Sequence, residues 1–319
     1  MSDRPTGLHQ RPPLELRLRW SESESRHQDP IRQIVRLALA EDVGPGDATT
    51  LSVVPNTVSA IGRIIAKQSG IVSGLVAVRA TIDEVDPSVS LDVHRQDGDA
   101  VMPGTEVATL RGPARSLLTL ERVALNFLQR LSGVATLTSR YVEALAGTET
   151  RVIDTRKTTP GMRTLEKAAV RHGGGANHRF GLHDAMMIKD NHIVAAGGIT
   201  EAVRRARAAR PDLFLVVEAR THDEVVEVAS LGVEQILLDN MSPDEIAAAV
   251  ALIRKSEAAS SLPPAWIEVS GGVTLESIRA KALPGVDLIS VGALTHSARA
   301  LDLSLELELE LELGGHDPR

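Results

Sequence analysis

The feature that most constrains this 319-residue chain is the alternation in its second half. From residue 150 onward, apolar runs of three or four residues recur. Each is followed by a charged residue or a glycine and then by an amphipathic stretch. That is the pattern of βα units, which bury a parallel sheet beneath their own helices. The spacing predicts strands over 151–153, 186–188, 214–217, 235–238, 266–269 and 288–291. A helix start follows the fourth run, with Ser242 as N-cap, Pro243 in the first helical position and Glu245 closing a capping box. In such folds the chemistry gathers at the C-terminal strand ends. The residues there are Asp154, Arg156, Lys157, Lys189, Glu218, Asp239, the Ser270-Gly271-Gly272 turn and Gly292. If the sheet curls, they ring one pocket. Six visible strands predict an incomplete or atypical barrel.

The first half reads differently. Residues 1–28 mix prolines, arginines and an alternating Ser/Glu run, the composition of a disordered leader. Helical spacing begins after Pro30 and ends at the Gly44-Pro45-Gly46-Asp47 turn. Short β-branched runs over 61–65, 71–72 and 89–93 predict a small sheet. From 114 to about 145 the apolar spacing returns to three and four, predicting long helices with a break near Ser132-Gly133. The expected organisation is a smaller N-terminal α/β sandwich domain over 29–125 and a barrel over 126–292. The Leu/Glu alternation after residue 303 has a strand's period but a helix former's composition. The two signals leave that tail, 304–319, unassigned, with an edge or interface element as the expected role.

Composition restricts function. A formal charge of -7 and only 2% aromatic residues argue against general nucleic-acid binding and against base-stacking platforms. There is no cysteine, so disulfides, thiolate nucleophiles and cysteine metal sites are excluded. With no apolar leader or long apolar span, the expectation is a cytoplasmic protein that does not cross a membrane. Within this acidic chain, residues 151–192 hold eight Lys or Arg against four Asp or Glu. Arg156-Lys157 pairs a fork-shaped guanidinium with a point-charge ammonium just after a strand, and Asn177-His178-Arg179 lies in loop-like sequence. Both suit carboxylates and phosphates. Glu218 and Asp239 suit a divalent cation or sugar hydroxyls. The histidines lack the spacing of a zinc site, and His172, His183 and His192 read as structural. The two strand-glycine-helix turns, at Ser270-Gly271-Gly272 and at Gly292, form a phosphate cradle. These residues alone leave open a Schiff-base lyase using Lys157 or Lys189, and a non-catalytic anion-binding module.

In order along the chain stand Glu41-Asp42 with Gly46-Asp47-Ala48-Thr49-Thr50, Glu121-Arg122-Val123-Ala124-Leu125-Asn126, Asp154-Thr155-Arg156-Lys157-Thr158 and Arg171-His172-Gly173-Gly174-Gly175. After them come Asn177-His178-Arg179, Ile188-Lys189-Asp190-Asn191-His192, Val217-Glu218, Leu238-Asp239-Asn240, Ser270-Gly271-Gly272 and Val291-Gly292-Ala293-Leu294-Thr295-His296. This series, spanning about 30 to 303, resembles the quinolinate phosphoribosyltransferases, and the resemblance implies an atypical open α/β barrel of about six or seven strands with a smaller N-terminal α/β sandwich domain. The resemblance implies a glycosyltransferase of NAD biosynthesis, moving phosphoribose from phosphoribosyl pyrophosphate to quinolinate with decarboxylation. It implies that Arg156, Lys157, His178, Arg179 and Lys189 line the quinolinate and pyrophosphate pocket, with Lys157, Lys189, Glu218 and Asp239 as the catalytic set. Glu218 and Asp239 would hold ribose hydroxyls or Mg2+, directly or through the substrate. Ser270, Gly271, Gly272, Gly292 and His296 would take the 5′-phosphate. A homodimer is implied, with Arg122 reaching the neighbouring subunit's quinolinate, and a last helix over 293–303 returning to the N-terminal domain. A divergent relative acting on another aromatic acid is the rival within the same fold.

Overall fold

In the computed structural model the described residues are 24–260 and 262–309, with side chains from residue 30 onward. The expected leader therefore lies outside them, except that 24–28 open the helix Glu24–Asp42. Two compact units form. One comprises 140–158 and 175–297, the other 24–139, 159–174 and the described residues from 298 onward.

The first unit is the predicted parallel sheet. Its strands are β6 (Arg151–Ile153), β7 (Met186–Ile188), β8 (Leu215–Ala219), β9 (Gln235–Asp239), β10 (Trp266–Ser270) and β11 (Leu288–Ser290), in the order β6-β11-β10-β9-β8-β7. All pairings are parallel. β8 and β11 are buried at every residue, as a sheet covered on both faces requires. Helices separate the strands and start on the anticipated caps. Ser242 Oγ accepts the Glu245 N–H, and Glu245 accepts the Ser242 N–H at 2.8 Å. Thr221 and Thr274 cap their helices by accepting the N–H of Glu224 and of Ser277. One cavity touches the C-terminal ends of all six strands, the edge strands β6 and β7 included, so the sheet curls into an open barrel.

The second unit holds β1 (Ser59–Ala66), β2 (Gly70–Ile71), β3 (Ser90–Val93), β4 (Ala100–Val101), β5 (Glu106–Pro113) and β12 (Leu303–Leu309). Four of these make an antiparallel sheet in the order β12-β1-β5-β3. Its core joins Ile64, Leu110 and Leu303 to Leu117, Leu120 and Leu128 of the helix Ala114–Ala144. The break expected near Ser132-Gly133 is absent, because this 31-residue helix runs through it. The small residues serve close packing instead. A Cβ on Gly133 would sit 2.0 Å from the Arg299 carbonyl, and Ser132 Oγ accepts the Ser73 N–H at 2.9 Å.

The chain's return also differs from expectation. The helix expected over 293–303 is only Ala293–His296. Beyond it the backbone bonds to the long helix instead of to itself. Arg130 donates to the Ala298 carbonyl at 2.7 Å, and the Leu301 N–H donates to the Gln129 carbonyl at 2.9 Å. The Leu/Glu tail, as far as Leu309, is a strand paired antiparallel to β1. Leu303 and Leu305 pack on the core, while Glu306 and Glu308 meet Lys67 and Arg63 at 2.5 and 2.6 Å. A cross-strand partner thus overrides helix propensity. Truncation after Asp302 is expected to lower unfolding free energy by about 3–5 kcal/mol, since burying a leucine contributes ~2 kcal/mol and the strand's hydrogen bonds go with it. Urea unfolding of the truncated chain checks this, and a loss below about 1 kcal/mol refutes it. Among the described residues no helix is long and apolar enough to cross a membrane.

Candidate active site

The cavity at the strand ends has a volume of about 640 Å³. It gathers Arg156, Lys157, His178, Arg179, Lys189, Glu218, Asp239, Ser270, Gly271, Gly272 and Gly292, eleven of the thirteen residues singled out from the sequence. Two stand apart from its lining. His296 lies beside Gly292, its Nε2 3.1 Å from where a Gly292 Cβ would be, and its Nδ1 is 2.7 Å from Ser297 Oγ. Arg122 belongs to the other unit, where its exposed guanidinium lies 3.8 Å from Glu121.

The cationic side is organised by Asp154, which the sequence places at a strand end without assigning it a role. Asp154, fully buried at the end of β6, accepts the His178 N–H and the Asn177 side-chain amide, both at 2.7 Å. The next residue, Arg179, is buried beside Arg156 and donates to the Ala185 carbonyl at 3.0 Å. Burial first, then the neighbouring Arg156, pushes the Arg179 guanidinium below its ordinary pKa, with Asp184 opposing. Asp184 meanwhile accepts the Phe180 and Gly181 N–H groups. Two like charges held together at a cavity wall favour an anion between them. Lys157 is set by its backbone, whose N–H reaches Thr155 Oγ1 at 3.0 Å and whose carbonyl accepts from Thr295 at 2.7 Å.

Elsewhere in the lining, Glu218 is the penultimate residue of β8 and Asp239 ends β9. Burial raises the Glu218 carboxyl above the usual range. Lys189, 3.7 Å away, draws it back down, and Asp239 pushes it up again. The folded pKa therefore exceeds the unfolded one. The associated stability is complete below the unfolded pKa and is lost as pH rises through the folded value. Ionised Glu218 is thus a local cost at neutral pH, and Glu218→Gln is expected to raise Tm by about 2–4 °C at pH 7.5. The gain should vanish toward pH 4. Calorimetry across that range checks it, and a variant less stable than wild type at pH 7.5 rules it out.

The glycine turn after β10 has a steric reason. Gly271 has φ +94°, and a Cβ there would lie 2.1 Å from Asn240 Oδ1. Asn240 itself, at φ 58°, donates its backbone N–H to the Ser270 carbonyl. Two of the three other histidines of the basic window have visible partners within the protein. His172 Nδ1 lies 2.8 Å from Ser73 Oγ, and His192 Nδ1 accepts the Lys189 N–H. Among the described residues no three His, Cys, Asp or Glu side chains gather as a metal site. Glu218 and Asp239 nonetheless form a carboxylate pair of the kind that holds Mg2+ jointly with substrate phosphates.

A parallel α/β barrel with two arginines, two lysines and a carboxylate pair around one cavity defines an enzyme that handles polyanionic substrates. The family described as "Quinolinate phosphoribosyl transferase" matches the chain twice, its N-terminal domain over residues 47–132 and its C-terminal domain over 134–306. The chain belongs to the quinolinate phosphoribosyltransferase family. It is 43% identical over 277 residues to the probable nicotinate-nucleotide pyrophosphorylase (carboxylating) of Bacillus subtilis (strain 168), covering 86% of this chain and 92% of that one. It is 47% identical over 267 residues to the protein of the same name from Synechocystis sp., covering 83% and 88%. The solved nicotinate-nucleotide pyrophosphorylase from Francisella tularensis superposes with a TM-score of 0.82 at 36% identity, covering 88% of this chain and 97% of that chain. NadC from Streptococcus pyogenes gives 0.82 at 41% identity, with the same coverage.

Proposed function

We propose that this chain transfers phosphoribose from phosphoribosyl pyrophosphate to quinolinate and releases the 2-carboxylate, giving nicotinate mononucleotide, pyrophosphate and CO2. The observation that carries this reading is the adjacent pair of half-buried Arg156 and buried Arg179 in the lining of a cavity that also holds the carboxylates of Glu218 and Asp239. Two neighbouring carboxylates on a pyridine ring complement two guanidiniums, each able to bond in bidentate fashion. The ring nitrogen attacks the ribosyl C1, and pyrophosphate departs with the bonding electron pair. The resulting pyridinium stabilises the electron pair left on C2 when CO2 leaves, and that carbon then takes a proton. Lys157 and Lys189 stabilise the charge developing on the departing pyrophosphate. Ser270, Gly271, Gly272 and Gly292 receive the 5′-phosphate, with His296 beside Gly292. Glu218 and Asp239 hold the ribose hydroxyls, or Mg2+ together with the donor. When bound, Mg2+ would neutralise charge on the leaving group.

The working form in this reading is a cytoplasmic homodimer in which Arg122 completes the neighbour's pocket. Exposed apolar side chains support such an assembly on both units: Leu37, Leu51 and Val53 on the one holding Arg122, Leu182 and Val194 on the one holding the cavity. Mixing the protein with quinolinate, phosphoribosyl pyrophosphate and Mg2+ should yield nicotinate mononucleotide. A folded sample that makes none sinks the reading. Inactive Arg122→Ala and Lys189→Ala chains, mixed and allowed to exchange, should recover roughly a quarter of wild-type activity, as random pairing leaves one intact pocket in half the dimers. Confirmed exchange without recovery would refute the sharing of Arg122.

A further inference from the structure

At the base of the cavity lies a buried polar cluster with no part in the substrate contacts above. Glu268 is fully buried in β10 and borders the cavity. Its Oε2 accepts from His178 Nε2 at 3.2 Å and from the side-chain amide of Gln235, which is buried in β9. On the far side of the ring, His178 Nδ1 lies 2.7 Å from the Arg179 backbone nitrogen. A backbone N–H can only donate, so Nδ1 presents its lone pair and the ring proton sits on Nε2, toward the carboxylate. The His178 backbone is pinned independently by Asp154. Both ring nitrogens thus serve the protein, although the sequence places His178 among the substrate ligands.

We propose that Glu268 is a positioning residue: by holding His178 in the Nε2–H form, it fixes the Arg179 backbone and hence the direction from which the Arg179 guanidinium enters the cavity. The proposal rests on the reading of that cavity as the dicarboxylate site. Glu268 acts on the pyridine substrate and not on the phosphoribosyl donor, because the ring it holds leads to Arg179 while the donor's groups meet Ser270, Gly271, Gly272 and Gly292. A carboxylate suits the task, since one oxygen can accept two N–H donors inside the barrel, and charged acceptors make the stronger bonds.

The test compares Glu268→Met, which keeps length and removes the acceptor, with Glu268→Gln, which keeps one acceptor oxygen. Glu268→Met is expected to raise KM for quinolinate about 30-fold, as loss of a charged hydrogen bond does, while KM for phosphoribosyl pyrophosphate changes less than about threefold. Glu268→Gln should return to within about tenfold of wild type. In a His178→Leu background, Glu268→Met should add no further loss. Equal rises in both KM values, or additive losses in the double variant, overturn the proposal. Proton–nitrogen NMR of histidine-labelled wild-type protein gives a readout without turnover, so it stands if a variant does not fold or if the protein proves inactive on quinolinate. A His178 ring protonated on Nε2 alone supports the proposal. A proton on Nδ1 overturns it.

Discussion

Replacing Arg179 with methionine is expected to lower kcat/KM for quinolinate by about a thousandfold while leaving the protein as stable as before, or slightly more stable. A bidentate charged contact comprises two hydrogen bonds of about 1.5–3 kcal/mol each, and each 1.4 kcal/mol is a factor of ten. Stability moves the other way because burial and the adjacent Arg156 already disfavour this cation in the free protein. Methionine removes that repulsion and keeps much of the packing. Lysine is the informative control, because it restores charge without the planar fork and should recover only part of the activity. Steady-state kinetics with both substrates, together with thermal melts, decides the matter. Activity within tenfold of wild type would falsify the placement of Arg179 on the substrate.

The second large effect falls on stability. Asp154→Ala leaves the His178 N–H and the Asn177 amide without their acceptor in a buried place, at about 1–3 kcal/mol each. A loss of about 3–5 kcal/mol follows, against a total of roughly 5–15 kcal/mol for a typical domain. Activity should fall as well, by about a hundredfold, because the same two bonds hold the segment that delivers Arg179. Urea unfolding with a parallel assay measures both. A variant as stable as wild type would mean that the carboxylate bears no such load.

Much of the site is legible in the sequence because parallel strands with apolar interiors reveal their ends. Each of the six strands begins within one residue of its expected position, and the charged or glycine residues expected at their ends, Asp154 excepted, line the cavity. The supporting acids are not legible in the same way. Glu268 lies inside a strand buried on both faces, where alternation does not mark which side is the barrel interior. Gln235 is hidden for the same reason, and Asp154 resembles any loop-edge aspartate until the 177–179 segment folds back onto it. The helix Leu75–Val85 escaped notice inside a stretch read as sheet, its apolar residues mixed with β-branched Val76, Val78, Thr81 and Ile82. Residues 298–302 look helical, yet their backbone is engaged by Gln129 and Arg130, contacts that no local pattern encodes.

The Leu/Glu strand β12 lies at the edge of its sheet, with its outer row of backbone groups turned away from β1. Such an edge is a template for adding another strand, and leucines on one face would reward the addition. The alternating glutamates oppose it. If two copies met edge to edge through β12, the Glu-bearing faces would bring carboxylates close to one another, a repulsive pairing wherever the strands align. Lys67 and Arg63 satisfy these charges from within the sheet, on the β1 side. The same residues that hold the strand to its own sheet therefore guard the protein against aggregation along its open edge.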